Sequence, residues 1–175
     1  LGLVVGIVLQ TAVAQQDCKE FHGIARCPKE FVVVIPSYNN EKYVEKNLRS
    51  VLDQDYAHFE VVYINDASTD KTGEVVSQVL ATHPRGKSVR VITNTVRQGA
   101  GLNRYQVFHT IADHKIIVEC DGDDWFAHTG VLTRINKEYQ DPAVWLTYGQ
   151  FRREPGGSIG QSKPLPDYIL ANHAY

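Results

Sequence analysis

The sequence predicts an α/β fold: a mainly parallel, doubly wound sheet with helices on both faces. Two observations predict it. Short apolar runs rich in Val and Ile alternate with segments of helical spacing from Phe31 onward. Polar, cap-rich or glycine-containing turns separate the runs. In sheets of this kind ligands bind beyond the carboxyl ends of the strands, so the loops after the strands are where function is sought.

The first strand is Phe31–Ile35, a continuous β-branched run of the kind buried on both faces, and Pro36 ends it. Asn39 or Asn40 caps a helix expected from about Glu41 to Asp53, with Val44, Leu48, Val51 and Leu52 at helical spacing. Phe59–Ile64 is the second strand. The loop Asn65–Asp70 follows, with Ser68, Thr69 and Asp70 as caps for a helix that carries Val75, Val76, Val79 and Leu80 on one face. Val89–Thr93 is the third strand, Gln98–Gly101 a turn, and Leu102, Tyr105, Phe108, Ile111 and Ala112 mark the next helix. Lys115–Cys120 is a fourth, central strand that runs into Asp121-Gly122-Asp123-Asp124. A helix with Val131, Leu132, Ile135 and Tyr139 precedes a fifth strand at Val144–Tyr148, and Gly156, Gly157 and Pro164 to Pro166 mark a looser tail.

Composition bounds the function. The chain has 175 residues, 43% apolar and 22% charged, enough for one domain with a real core. A net charge of −2 without a basic run excludes a nucleic-acid surface. There is no Met, and the chain reads as a fragment cut at both ends. Residues 1–16 read as a signal-peptide or membrane-anchor remnant: Leu1 to Leu9 is apolar, and Ala12-Val13-Ala14 fits a cleavage site. A buried strand or helix is the alternative. The segment allows membrane association, and a membrane-associated or secretory, extracytoplasmic location is favoured over the cytoplasm. Residues 17–30 read as a linker. Cys18 and Cys27 flank a short loop and could pair in an oxidising compartment, whereas Cys120 reads as a buried small hydrophobe. No cysteine spacing supports a zinc site.

Four stretches are the candidates for chemistry. Three carboxylates within Asp121–Asp124 repel one another unless a cation offsets them. Mg²⁺ or Mn²⁺ would take one or two of them and complete its shell with phosphate oxygens; a solvated acidic turn is the bland alternative. Asp66, at a strand end and too early to cap, can accept from a base N–H. Tyr38, beside Pro36, can pack on a flat base. Arg97 or Arg104, around a glycine-containing helix start, can meet a diphosphate. This stretch lacks the spacing of a phosphate loop ending in Gly-Lys-Ser/Thr, which excludes a kinase or ATPase. His109, His114, His128 and His173 show no paired metal spacing.

In order, FVVVIPSYNNEKYVEKNLRSVLDQDY, FEVVYINDASTDKT and IIVECDGDDWF resemble the N-terminal part of family 2 glycosyltransferases of the GT-A fold, over about Phe31 to Leu146. The resemblance implies a nucleotide-sugar-binding domain over 31–150 and the start of an acceptor-side region over 151–175. It places Asp66 at the base, Pro36 and Tyr38 in the loop lining it, Asp121 near the ribose and Asp123 on the metal, with Asp124 beside the motif. Ala67 stands where the family usually has Gly. The family's Asn-x-Gly followed by Ala-Arg-Asn is replaced by Asn94 to Gly99 and Leu102-Asn103-Arg104. The implied reaction is inverting, metal-assisted transfer from a nucleotide sugar, UDP-linked, to a hydroxyl of a carbohydrate, lipid or protein acceptor. A carboxylate base is required. Glu154 and Asp167 sit in no recognised motif, and the base is expected beyond Tyr175. A nucleotide-sugar-binding module or inactive truncated relative is one alternative. A nucleotidyltransferase is another, but Pro36–Asn39 is not the Gly-rich basic loop it needs.

Overall fold

The computed structural model describes residues 19–21, 24–149 and 151–158. The chain divides into two compact units, Leu1–Asp141 and Pro142–Tyr175. The apolar stretch 1–16, Cys18 and Asp167 lie outside the described residues. No helix among the described residues is long and apolar enough to cross a membrane.

The stretch read as a linker carries an antiparallel hairpin of β1 (Lys19–Phe21) and β2 (Ile24–Arg26), with Lys19 opposite Arg26. The main sheet is built from β3 (Phe31–Ser37), β4 (Phe59–Asn65), β5 (Val89–Thr93) and β6 (Ile116–Glu119), all parallel, in the order β5-β4-β3-β6. Every residue of β3 is buried, as the unbroken apolar run requires of a strand covered on both faces. Alternation divides the core. Phe31, Val33, Ile35, Val61 and Tyr63 face α1 (Val44–Leu52), α2 (Thr72–Thr82) and Leu132 of α4 (Val131–Glu138). Val32, Val34, Val62 and Ile64 face Val107 of α3 (Ala100–Phe108). Each buried Val or Ile contributes about 1.5–3 kcal/mol. The strand order reverses between β3 and β6, and in such sheets that crevice is where ligands bind.

Several expectations are corrected. The first helix starts at Val44, because residues 41–43 form a turn, and neither Asn39 nor Asn40 caps it through its side chain. The Asn40 carbonyl instead accepts from Tyr43 N and Val44 N. The buried face of α3 is Asn103 and Val107, while Leu102 and Tyr105 are exposed. A polar residue faces inward here for a reason that lies in the site. Cys120 is buried as expected, but it follows β6, which among the described residues pairs with β3 alone and stands at the sheet edge. Val144–Tyr148 forms no strand; it has no ladder partner among the described residues, and Trp145 is 90% exposed.

Candidate functional site

The loops after β3 and β4 are locked to each other by short polar side chains. Asn39 N donates to Ser68 Oγ at 3.0 Å, and Thr69 N returns a bond to Asn39 Oδ1 at 2.8 Å. Asn40 N donates to Thr72 Oγ1, and Glu41 N to Asp70 Oδ2. Ser68 and Thr69 therefore brace the neighbouring loop rather than cap α2. Asp70 does serve the helix start, accepting from Thr72 N at 2.9 Å. Ala67 adopts φ 56°, the left-handed region. That conformation explains why glycine suits this position.

Asp66 is 3% exposed and organises the next loop. Its Oδ1 accepts from Asn94 Nδ2 at 2.8 Å and Gln98 N at 2.9 Å, and its Oδ2 from Gly99 N at 2.8 Å. Burial alone would raise its pKa, but hydrogen bonds from Asn94, Gln98 and Gly99 and the nearby Asn103 amide hold it at about 2. The carboxylate thus fixes the turn that leads into α3.

Pro36, Tyr38, Asp66 and Arg97 converge on one cavity of about 100 Å³, with Ser37, Gly99, Ala100 and Asn103 completing its wall. The Arg97 guanidinium lies 3.9 Å above the centre of the Tyr38 ring, a cation–π stack at the cavity wall. A larger cavity of about 270 Å³, lined by Val32, Glu60, Arg90 and Lys115 among others, contains none of the anticipated residues.

The acidic turn is held against that wall by its backbone. Gly122 N donates to Pro36 O at 3.0 Å. A Cβ on Gly122 would lie 2.5 Å from Ser37 Oγ and 2.6 Å from Asn40 Nδ2, so only glycine permits this approach. Asn47, fully buried on α1, donates through Nδ2 to Asp121 O at 3.0 Å and Asp124 O at 2.8 Å. Sequence reading missed Asn47, although a polar residue within the stripe of Val44, Leu48 and Val51 was a signal for it.

The carboxylates of the turn differ in their surroundings. The Asp121 side chain, 49% exposed, bonds to Arg104 Nη2, and Arg104 Nε lies 3.7 Å from Glu119 Oε2. Asp121 is not among the residues lining the cavity. Asp123 is exposed. Asp124 is exposed too, yet partial desolvation, then the charges of Asp123 and Asp121, raise its pKa. Burial likewise pushes the Cys120 thiol up to about 12, with the same acidic charges assisting, so it stays a neutral thiol. Among the described residues no group of three or more His, Cys, Asp or Glu side chains is arranged to hold a metal. The turn concentrates negative charge without forming a protein cage. That fits a hard cation bound through one or two carboxylates, with the rest of its shell supplied by a ligand.

A parallel sheet with its strand order reversed at β3 and β6, and polar loops gathered at that point, defines an open, doubly wound α/β domain of the kind that binds ligands at its switch point. Residues 32–169 match the family model "Glycosyl transferase family 2", and the chain belongs to that family. It is 30% identical over 131 residues to glycosyltransferase GlyA of Streptococcus pneumoniae, which covers 73% of this chain and 18% of the relative. Among solved structures it resembles S. aureus TarS 1-349 in complex with UDP-GlcNAc, with a TM-score of 0.54 and 28% identity over 62% of this chain and 30% of that one. It also shares the GT-A fold of the mannosyltransferase PcManGT from Pyrobaculum calidifontis, with a TM-score of 0.56 and 22% identity over 79% of this chain and 39% of that one. The chain thus spans well under half the length of each of these three.

Proposed function

We propose that this protein transfers a sugar from a UDP-linked donor to an acceptor hydroxyl, with inversion and with help from Mn²⁺ or Mg²⁺. The observation that carries the reading is the convergence of Pro36, Tyr38, Asp66 and Arg97 on one cavity whose wall is hydrogen-bonded to the acidic turn. The cavity would take the nucleobase beside the Tyr38 ring, and Arg97, stacked on that ring, would be the cation offered to the diphosphate. Asp121 would lie toward the ribose and Asp123 would hold the ion, which neutralises charge on the departing diphosphate. The complex of TarS with UDP-GlcNAc supports the choice of uridine.

In the proposed reaction the acceptor oxygen bonds to the anomeric carbon as the bond to the diphosphate oxygen breaks. The hydroxyl proton passes to a carboxylate base in the acceptor-side part of the protein. Residues 31–150 would be the donor-binding domain and 151–175 the start of that acceptor side. Carbohydrate, lipid or protein acceptors suit this chemistry equally. Cys27 is disulfide-bonded, which supports an extracytoplasmic or secretory setting.

The test is calorimetric titration of the protein and of Asp123→Ala with UDP, with and without Mn²⁺. Loss of the Mn²⁺-dependent component in the variant is expected. Unchanged affinity would remove Asp123 from the metal, and absence of sugar transfer or donor hydrolysis by the intact protein would favour a pure binding module.

A further inference from the structure

One buried donor at the cavity is left over by the hydrogen bonding described above. Asn103 is 2% exposed and lies in the first turn of α3, on the cavity wall. Its Oδ1 accepts from Asn94 Nδ2 at 2.8 Å. Among the described residues its Nδ2 meets no partner at full hydrogen-bond geometry, the Asp66 carboxylate being its polar neighbour. Buried side-chain donors are rarely left unpaired, because desolvation without a partner is costly. An amide nitrogen carries two N–H groups, so its proximity to the Asp66 carboxylate leaves at least one to give. Asp66 has capacity of the opposite kind: among the described residues the bond of good geometry to Oδ2 comes from Gly99 N, and a carboxylate oxygen can accept twice.

A donor and an acceptor with capacity to spare therefore line the same small cavity, and Asn103 adds to Asp66 a residue that the motif-based site lacks. We propose that Asn103 is a base-reading residue, its Nδ2 donating to the carbonyl oxygen at position 4 of a uracil ring while Asp66 Oδ2 accepts the ring N3–H. The inference rests on the nucleotide-sugar reading and deepens it. A volume of about 100 Å³ suits a single pyrimidine ring better than a purine. Cytosine in the same placement would set its amino group against the Asn103 amide and an unprotonated nitrogen against the Asp66 carboxylate. Both contacts would be mismatched, and buried polar groups left unpaired in this way are what give a site its discrimination.

The experiment is calorimetric titration of the intact protein with UDP, 4-thio-UDP and CDP in Mn²⁺, repeated for Asn103→Ala. Sulfur at position 4 is a poor acceptor and leaves the rest of the ligand unchanged. The wild type is expected to prefer UDP over 4-thio-UDP by about tenfold, and Asn103→Ala to bind the two equally. The same preference in the variant would overturn the proposal, as would a uniform loss for all three nucleotides, which marks a purely structural role. If Asn103→Ala does not fold, equal affinity of the wild type for UDP and 4-thio-UDP overturns the proposal without any variant. Failure of the wild type to bind any of UDP, GDP or ADP would instead remove the nucleotide-sugar reading itself.

Discussion

Replacing Asp66 by asparagine deletes one charge at almost constant volume, at a residue that anchors three N–H donors. A carboxyl whose pKa falls from 3.8 to about 2 on folding contributes roughly 2 kcal/mol at neutral pH. Asparagine also has only one acceptor oxygen. If that oxygen keeps Asn94 and Gln98, the new NH2 group faces Gly99 N, and a buried donor loses its partner for about 1–3 kcal/mol. We expect Asp66→Asn to be destabilised by about 3 kcal/mol at pH 7, read by guanidinium denaturation. The pH dependence separates the two contributions. The folded-state pKa is depressed, so the charge contribution is present above 3.8 and is lost as pH falls through about 2. The gap between wild type and variant should therefore shrink by roughly 2 kcal/mol between pH 5 and pH 2. A gap that stays constant over that range, or one below about 0.5 kcal/mol at pH 7, would refute the argument that hydrogen bonds to the ionised carboxylate hold this loop.

Three further outcomes are expected. Gly122→Ala should cost about 1–3 kcal/mol by overpacking against Ser37, and Ser37→Gly in the same chain should recover part of it in a denaturation double-mutant cycle. Asn47→Leu strips Asp121 O and Asp124 O of their shared donor; a loss of about 2–3 kcal/mol is expected, with a fall in UDP affinity that calorimetry can read. Ala67→Gly should raise the melting temperature, since it relieves the strain of φ 56° by about 0.5–1 kcal/mol.

The parts of this fold that were legible in the sequence are those where one local rule decides. β3, β4 and β5 follow from unbroken or half-alternating apolar runs, and the Pro36, Asp66 and Asp121 loops follow from where those runs stop. What escaped depended on partners distant in sequence. Leu102, Tyr105 and Phe108 suggest an apolar stripe, yet α3 turns Asn103 inward because Asn94, from the end of β5, meets it there. Asn47 looks like an ordinary polar position until the acidic turn, 74 residues away, arrives at its amide. The apolar run Val144–Tyr148 reads as a strand, but it finds no ladder partner among the described residues, and apolar content alone does not make a strand.

The same distinction sharpens what the acidic turn is. Its backbone is fixed by Asn47, Pro36 and the absence of a Cβ at Gly122, so the turn geometry is set before any ligand arrives. Its charges are less settled. Arg104 already offsets Asp121 and Glu119, whereas Asp124 carries a raised pKa from partial desolvation and from two neighbouring carboxylates. Releasing Asp121 from Arg104 would add to that repulsion, so Arg104 is the residue that makes this density of carboxylates tolerable in the free protein. A cation at Asp123, as proposed, would not need to displace it, because that carboxylate is exposed and lies outside the Arg104 ion pair. Preorganisation here lies in the backbone and in one arginine, which is why the D-x-D-D pattern alone could locate the turn without revealing what holds it.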